Sequence, residues 1–365
     1  MRRPFGEVEV VTPELLEALQ MKVEEGFVVL QSTVGDKGVT FRVEPRYPHK
    51  EAFSKVLRAL EASPYLPLYR RSGSELRVQI AQKKGGKRGE LGPAIHLLLL
   101  LATVITTTLA GYTIWAEGDL GGSVLFALAL MAILGLHELG HALVARRRGI
   151  EATLPFFIPA PPPIPFGTFG AVIFMNSPVP NRRALFDVGV AGPLAGFLVA
   201  LPLLIVGISL SHVAPPASAL EGEFLLGSSI LFMVLAKLAF GDFVLLDLHP
   251  LAVAGWIGLF VTSLNLLPMG QLDGGHVVRS LMPRHYRKVY FGVALLLLVA
   301  GLYWPGWFFW AFLVYLVTRM DHPGPLDDVS ELDLGRKLVA LLVLLILVLS
   351  FIPTPIVPTE LLPVQ

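Results

Sequence analysis

The chain has 365 residues, 54% hydrophobic and 16% charged, with 29 Lys and Arg against 28 Asp and Glu for a net charge of +1. Soluble domains carry about 25% charged residues, so the composition indicates a polytopic membrane protein, and the balanced charge gives no general attraction to nucleic acid. The absence of cysteine excludes disulfides, thiolate nucleophiles and Cys-ligated zinc, leaving His and carboxylates for any metal site.

The chain opens on Arg2 and Arg3 and a mixed polar stretch with no apolar signal-peptide core. Residues 1–88 read as a soluble α+β accessory domain. Pro13–Glu25 has amphipathic helical spacing, and Gly26–Val43 alternates as a strand pair turning at Gly35–Gly38. A second helix is expected over His49–Ala62, and a second strand pair over Leu66–Ala81 turning at Ser72–Ser74. The basic linker Lys83–Arg88 ends this unit.

Long apolar runs follow, each measured against the roughly 20 residues a helix needs to cross the hydrocarbon core. Spans are expected over residues 93–115, 122–145, 184–210, 250–279, 287–304, 305–319 and 337–352. Basic clusters mark their cytoplasmic ends: Lys83, Lys84, Lys87 and Arg88 before the first, and Arg146–Arg148 after the second. Arg182 and Arg183 precede the third, Arg279, Arg284, Arg287 and Lys288 follow the fourth, and Arg336 and Lys337 precede the last. The scheme closes when the apolar stretch 224–240, which carries Lys237, lies re-entrant or flat on the outer side. The expected class is therefore a mainly α, multi-pass integral membrane protein of about seven spans with a cytoplasmic N-terminus. Its membrane domain covers residues 89–353, and residues 354–365 form a C-terminal tail.

The second span contains His137-Glu138-Leu139-Gly140-His141. Positions i and i+4 share one helix face, so both imidazoles can reach a single ion, and Glu138 is close enough to take a proton from a metal-activated water. Two His and a Glu in an apolar helix are costly unless paired or metal-bound; the alternative is a hydrogen-bonded cluster joining helices. A catalytic zinc takes three protein ligands and leaves a position for water. Asp273, in Asn265-Leu-Leu-Pro268-Met-Gly-Gln-Leu-Asp273-Gly274-Gly275, reaches similar depth at the cytoplasmic end of its span, where Pro268 and the glycines loosen the helix. A C-terminal cap or turn residue is the other reading of Asp273.

These two motifs together resemble the site-2 protease family of intramembrane zinc metalloproteases. The likeness covers the core at about residues 122–281. It is greatest to the plastid and cyanobacterial branch, through Ile158-Pro159, Gly167–Ala171, Ala191–Gly196, His249-Pro250 and Gly255-Trp256. The resemblance implies one zinc per chain on His137, His141 and Asp273, with Glu138 as general base. It also implies that Asn265 binds or polarises the substrate carbonyl. Many members carry Asn where this chain has Gly196, so no second polar anchor is expected there.

Residues 155–165 hold six prolines, followed by a Gly-rich apolar stretch to Met175. This reads as an extended segment dipping into the membrane, whose edge takes an unwound substrate by strand addition, with Gly167 and Gly170 allowing close backbone approach; a packed apolar loop is the alternative. Gly192–Gly196 reads as close helix packing. Asp187 reads as an interfacial helix-start residue, His249 as a helix-start residue, and His276 as a weak candidate near the metal. His96 and His212 carry no ligand role, and His322, Asp327 and Asp328 are expected to face solvent. The sequence thus points to a zinc metalloendopeptidase cutting transmembrane protein substrates within the lipid bilayer, with no nucleic-acid partner and room for a regulatory partner at residues 1–88. The alternative is a metal-ion transporter or a non-catalytic membrane binding protein using the same fold.

Overall fold

The computed structural model describes residues 5–6, 11–35, 38–83, 92–214, 224–242, 245–318 and 324–358. Lys84, Lys87, Arg88 and His322 lie outside the described residues.

The N-terminal unit comprises β1 (Phe5–Gly6), α1 (Pro13–Glu24), β2 (Phe27–Gly35), β3 (Gly38–Pro45), α2 (His49–Ala59), β4 (Tyr65–Ser72) and β5 (Glu75–Lys83). Pro13 at the start of α1 and the Thr12 hydroxyl, which accepts from Leu15 N–H, set where that helix begins. Gly73 at φ 62° makes the tight turn between β4 and β5. All pairings in the sheet are antiparallel: β5 lies between β4 and β3, β2 flanks β3, and β1 joins the end of β5. Leu19, Val23, Phe27, Phe41, Phe53, Val78 and Ile80 fill the space between helices and sheet. Burying such side chains stabilises each by about 1.5–3 kcal/mol.

That core also takes in Leu326 and Val329, more than 240 residues further along. Residues 326–328 lie between β4 and residues 179–181. Tyr69 N–H donates to Leu326 O at 2.8 Å and Asp328 N–H to Tyr69 O at 3.1 Å. On the other side Leu326 N–H donates to Val179 O and Asp327 N–H to Pro180 O. The expectation that Asp327 and Asp328 face solvent is therefore corrected. Asp327 is buried, accepting from the N–H groups of Val329 and Ser330, and Asp328 forms a two-bond ion pair with Arg279. Asp327 is met by donors of its own turn, and Asp328 by a guanidinium brought from 49 residues away.

Among the described residues, three helices are long and apolar enough to cross a membrane. The first is α3 (Pro93–Ala110), continued by a π-helical turn at Gly111–Trp115. The others are α4 (Leu120–Arg147) and α5 (Arg182–Ser209), with the hairpin β6 (Phe156–Pro159) and β7 (Thr168–Val172) between them. Beyond α5 lie β8 (His212–Val213), β9 (Phe224–Leu226), α6 (Ile230–Phe240), β10 (Leu246–Asp247) and α7 (Pro250–Leu266). They are followed by α8 (Asp273–Leu281), α9 (Tyr286–Ala300), α10 (Gly306–Thr318), α11 (Leu334–Ser350) and β11 (Ile356–Pro358). The single span expected over 250–279 is two helices, a correction with a local cause. Pro268 cannot donate a helical hydrogen bond and forces Leu267 extended (ψ 127°), and Gly270 turns the chain at φ 54°.

Small residues let the central helices touch. A Cβ on Gly207 would fall 2.2 Å from Ala252 N, and one on Gly255 would fall 2.8 Å from the Leu204 backbone, so α5 and α7 cross at near backbone contact. Two ends of the bundle are chemically distinct. At one end β8 pairs with β10 and β9 with β11, and the indoles of Trp256, Trp304 and Trp307 donate to Gly227 O, Ile356 O and Pro353 O. At the other end, Asp187 on α5 pairs with Arg148 after α4 and with Arg336 on α11, so it is an ion-pair hub rather than an isolated helix-start acid. The N-terminal unit packs at this second end, through residues 326–329.

Candidate metal centre

His137 and His141 lie one turn apart on the later half of α4, both buried, on the face turned toward α5 and α7. What brings α5 so close is its lack of side chains. A Cβ on Gly192 would sit 2.0 Å from His141 Nε2, and one on Gly196 would sit 3.1 Å from His137 Nδ1. Gly140 does the same from α4, where a Cβ would lie 2.7 Å from Ala191 O. The glycines of α5 are thus packing residues, as their spacing suggested, but the groups they pack on are the two histidines.

Asp273 arrives from the broken helix. It is the first residue of α8, in a first turn whose N-cap, Leu272, makes no side-chain cap. Its carboxylate points at the histidines, with Oδ2 at 3.2 Å from His137 Nε2 and Oδ1 at 3.3 Å from His141 Nε2. The two Nε2 atoms are 3.2 Å apart. Gly274 and Gly275 make this return possible. Cβ atoms there would lie 2.0 Å from Leu266 O and 2.5 Å from Gly270 O, so the first turn of α8 folds tightly against the end of α7.

The donor chemistry fits a cation. His141 Nδ1–H donates to Val188 O at 2.8 Å, which leaves a lone pair on Nε2 of the neutral ring. Imidazole nitrogens and a carboxylate at mutual contact are acceptors facing acceptors, an arrangement that needs a shared proton or a metal ion. Bonds of about 2.0–2.1 Å in a tetrahedron place ligand atoms about 3.3 Å apart, the spacing seen among these three groups. Zinc suits a nitrogen and oxygen donor set of this kind. Glu138 lies beside the cluster: one ligand-capable atom each from His137, Glu138 and His141 falls within 4.8 Å of the others. The Ile173 backbone lies near the Glu138 carboxylate, at the end of the β6–β7 hairpin.

Asn265, near the end of α7, reaches the same point, with Nδ2 at 3.3 Å from His137 Nε2. The two glycines of the hairpin part company. Gly170, at φ 97°, has nothing within 4 Å of a Cβ position, whereas a Cβ on Gly167 would lie 2.4 Å from Thr106 O. Thr106 Oγ1 also donates to Gly167 O at 2.7 Å. Gly167 is therefore taken up by α3, a correction to its reading as open backbone. His276 packs against Gly189, His96 Nδ1 lies 3.1 Å from Pro155 O, and His249 caps α7 by accepting from Leu251 N–H. The carbonyl of Val188 was not foreseen, since a backbone acceptor leaves no mark in sequence.

Gly192→Ala is expected to displace His141 and to cut bound zinc to well below one per chain. Gly292→Ala, where a Cβ meets nothing within 4 Å, is expected to leave it unchanged. Elemental analysis of the two purified variants checks this; full zinc in Gly192→Ala would break the geometric argument.

Residues 125–301, which contain His137, Glu138, His141, Asn265 and Asp273, match the family model Peptidase family M50. The chain is similar to Probable zinc metalloprotease EGY1, chloroplastic, of Arabidopsis thaliana, at 32% identity over 241 residues, covering 62% of this chain and 42% of that protein. It is similar to Probable zinc metalloprotease EGY2, chloroplastic, of the same plant, at 32% over 239 residues, covering 63% and 41%. The corresponding EGY1 of Oryza sativa subsp. japonica is 32% identical over 243 residues, covering 62% and 40%. The chain spans about two fifths of the length of these relatives. No solved structure matches it. The family match thus spans the donor set and the break in the helix that completes it, and the chain is similar there to peptidase family M50, the site-2 proteases, with chloroplastic relatives among its matches.

Proposed function

We propose that this protein is an intramembrane zinc metalloendopeptidase that hydrolyses peptide bonds in the transmembrane segments of protein substrates. The observation that carries the reading is the convergence of His137, His141 and Asp273, with Glu138 beside them, on a helix long enough to span a membrane. His137, His141 and Asp273 hold one zinc. Bound there, zinc supplies Lewis acidity to the scissile carbonyl and acidifies a water molecule. Glu138 accepts the proton from the attacking water and returns it to the leaving amide nitrogen, so that one carboxylate acts as base and then as acid. Asn265 donates its amide N–H toward the substrate carbonyl, and the buried histidine face keeps bulk water out. Competing transport of the ion would have no use for Glu138, and activity of a Glu138 variant separates the two.

The topology that goes with this reading has seven crossings and a cytoplasmic N-terminal domain, with α6 held on the outer side. Its support is the grouping of loops. Residues 148–152, 179–181 and 324–333, with Arg148, Arg182, Arg183 and Arg336, share one end with the N-terminal domain, as the positive-inside rule requires. The paired strands β8–β10 and β9–β11 share the other.

A substrate helix must unwind before its peptide bonds can be reached, and a free strand edge holds an unwound chain by backbone hydrogen bonds. Phe174 O accepts from Thr153 N–H and Asn176 N–H donates to Glu151 O, which turns Ile173 to the opposite side, toward Glu138. Strand alternation carries the backbone of Ala171 to that side too. Ala171→Pro is therefore expected to weaken substrate interaction by about 1–3 kcal/mol while zinc content stays at the wild-type level. A cleavage assay with a membrane-embedded substrate measures it. Wild-type cleavage by the variant would mean that the hairpin is packing only.

A further inference from the structure

Asp273 supplies one of the three donors but belongs to a helix of nine residues joined to α7 by a non-helical turn. A ligand on so short a helix is placed only as well as the helix is. Backbone ties hold parts of α8: Tyr290 O–H donates to Gly275 O at 2.9 Å, and Arg182 Nε–H to Ser280 O at 2.7 Å. The side-chain tie is Arg279, six residues on from Asp273 and about 9 Å along the helix axis. Its Nη1 and Nη2 donate to Asp328 Oδ1 and Oδ2 at 2.8 and 2.7 Å, a planar fork on a carboxylate, with 8% and 12% of the two side chains exposed. The Tyr286 ring lies 4.7 Å from the guanidinium carbon. Gly324, at φ 65°, leaves room for the guanidinium, since a Cβ there would fall 2.8 Å from Nη2.

Asp328 is not itself part of the bundle. It sits in the segment that the N-terminal domain grips through Tyr69 N–H and O, through Arg70 Nη1 on Leu326 O at 2.8 Å, and through the burial of Leu326 and Val329 in that domain's core. The chain of contacts runs from the β4 edge to residues 326–328, to Arg279, along α8, to Asp273 and the metal.

We propose that Arg279 and Asp328 are positioning residues for Asp273, and that the N-terminal domain, by holding residues 326–328, sets the affinity of the three-donor site for its metal. This rests on the reading of that site as a zinc centre. It revises the view of residues 1–88 as a purely accessory unit: the domain touches no donor, yet it anchors the partner of the helix that carries one. A bidentate pair is directional, so its effect on α8 is orientation as well as cohesion. Changing groups that orient a metal ligand from outside weakens metal binding by about 10- to 100-fold.

The test uses the full-length detergent-solubilised protein, with its zinc dissociation constant measured by chelator competition and the melting temperature of the metal-free form measured alongside. Arg279→Lys, which keeps the charge and loses the fork, and Asp328→Asn are each expected to raise the zinc dissociation constant about tenfold. The pair Arg279→Met with Asp328→Leu replaces a buried ion pair by apolar contact, which is often neutral for stability; it is expected to melt near wild type and still hold zinc about tenfold more weakly. Arg70→Gln, which loses the bonds to Leu326 O and Tyr69 O, is expected to shift zinc affinity in the same direction. Wild-type zinc affinity in folded Arg279→Lys and in the Met–Leu pair, with only the melting temperature changed, overturns the proposal and leaves the pair a structural one. Absence of zinc binding by the wild-type chain would instead overturn the metal-site reading itself, so the two failures are distinct.

Discussion

Glu138→Gln is expected to keep one zinc per chain and to lose peptide hydrolysis by at least about 100-fold, the lower bound for removing a general acid–base group. The residue lies within 4.8 Å of the histidine ligand atoms, yet it is Asp273, not Glu138, that contacts both Nε2 atoms. An amide of the same shape preserves packing on α4 while removing the group that moves the proton. Elemental analysis and a cleavage assay on the same preparation measure both halves. Cleavage near the wild-type rate would refute the base assignment, and loss of zinc would make Glu138 a ligand.

Loss of a donor is expected to have the opposite signature. His141→Ala should lower zinc from one per chain to near zero, taking activity with it, because removing one of three protein ligands leaves a pair that cannot hold a structurally defined site. His137→Ala and Asp273→Asn should behave alike. His141 is the most informative of the three, since its Nδ1–H is anchored on Val188 O and its ring fills the hollow at Gly192. Its removal leaves that hollow empty and the carbonyl without its donor, a further cost of about 1–3 kcal/mol in stability. Thermal melts of the metal-free forms separate this cost from the loss of zinc. Full zinc retention in His141→Ala would remove the foundation of the proposed function.

Much of this was legible from local pattern. The His137 and His141 pair follows from the period of a helix, and Glu138 from its place between them. The turns at Gly35–Gly38 and Gly73 follow from residues that tolerate the needed backbone angles. Asp273 is marked by Pro268 and the glycines around it, which announce a helix in trouble, and Asn265 only by the family resemblance; that the helix breaks in two, rather than forming one loosened span, shows only when Gly274 and Gly275 are seen against Leu266 O and Gly270 O. Gly167 and Gly170 look equivalent in sequence, and only the position of α3 tells the one that is packed from the one that is open.

The donor types, their helical phase and the apolar lengths of α3, α4 and α5 were determined by sequence alone, because each depends on residues within a few positions of one another. Three things were decided by tertiary structure. Val188 O fixes the ring of His141 from 47 positions away, and Asp328 meets Arg279 from 49 positions away. Leu326 and Val329 complete a core whose other members come from the first 81 residues. Asp327 and Asp328 carry the composition of a solvated loop, yet neither is left to solvent: Asp327 is buried with its own turn's N–H groups on its carboxylate, and Asp328 is paired by Arg279 from a distant segment. Local sequence carries hydrophobic period and turn chemistry. Whether a charge meets its partner depends on which segments the fold brings together, and no residue records that by itself.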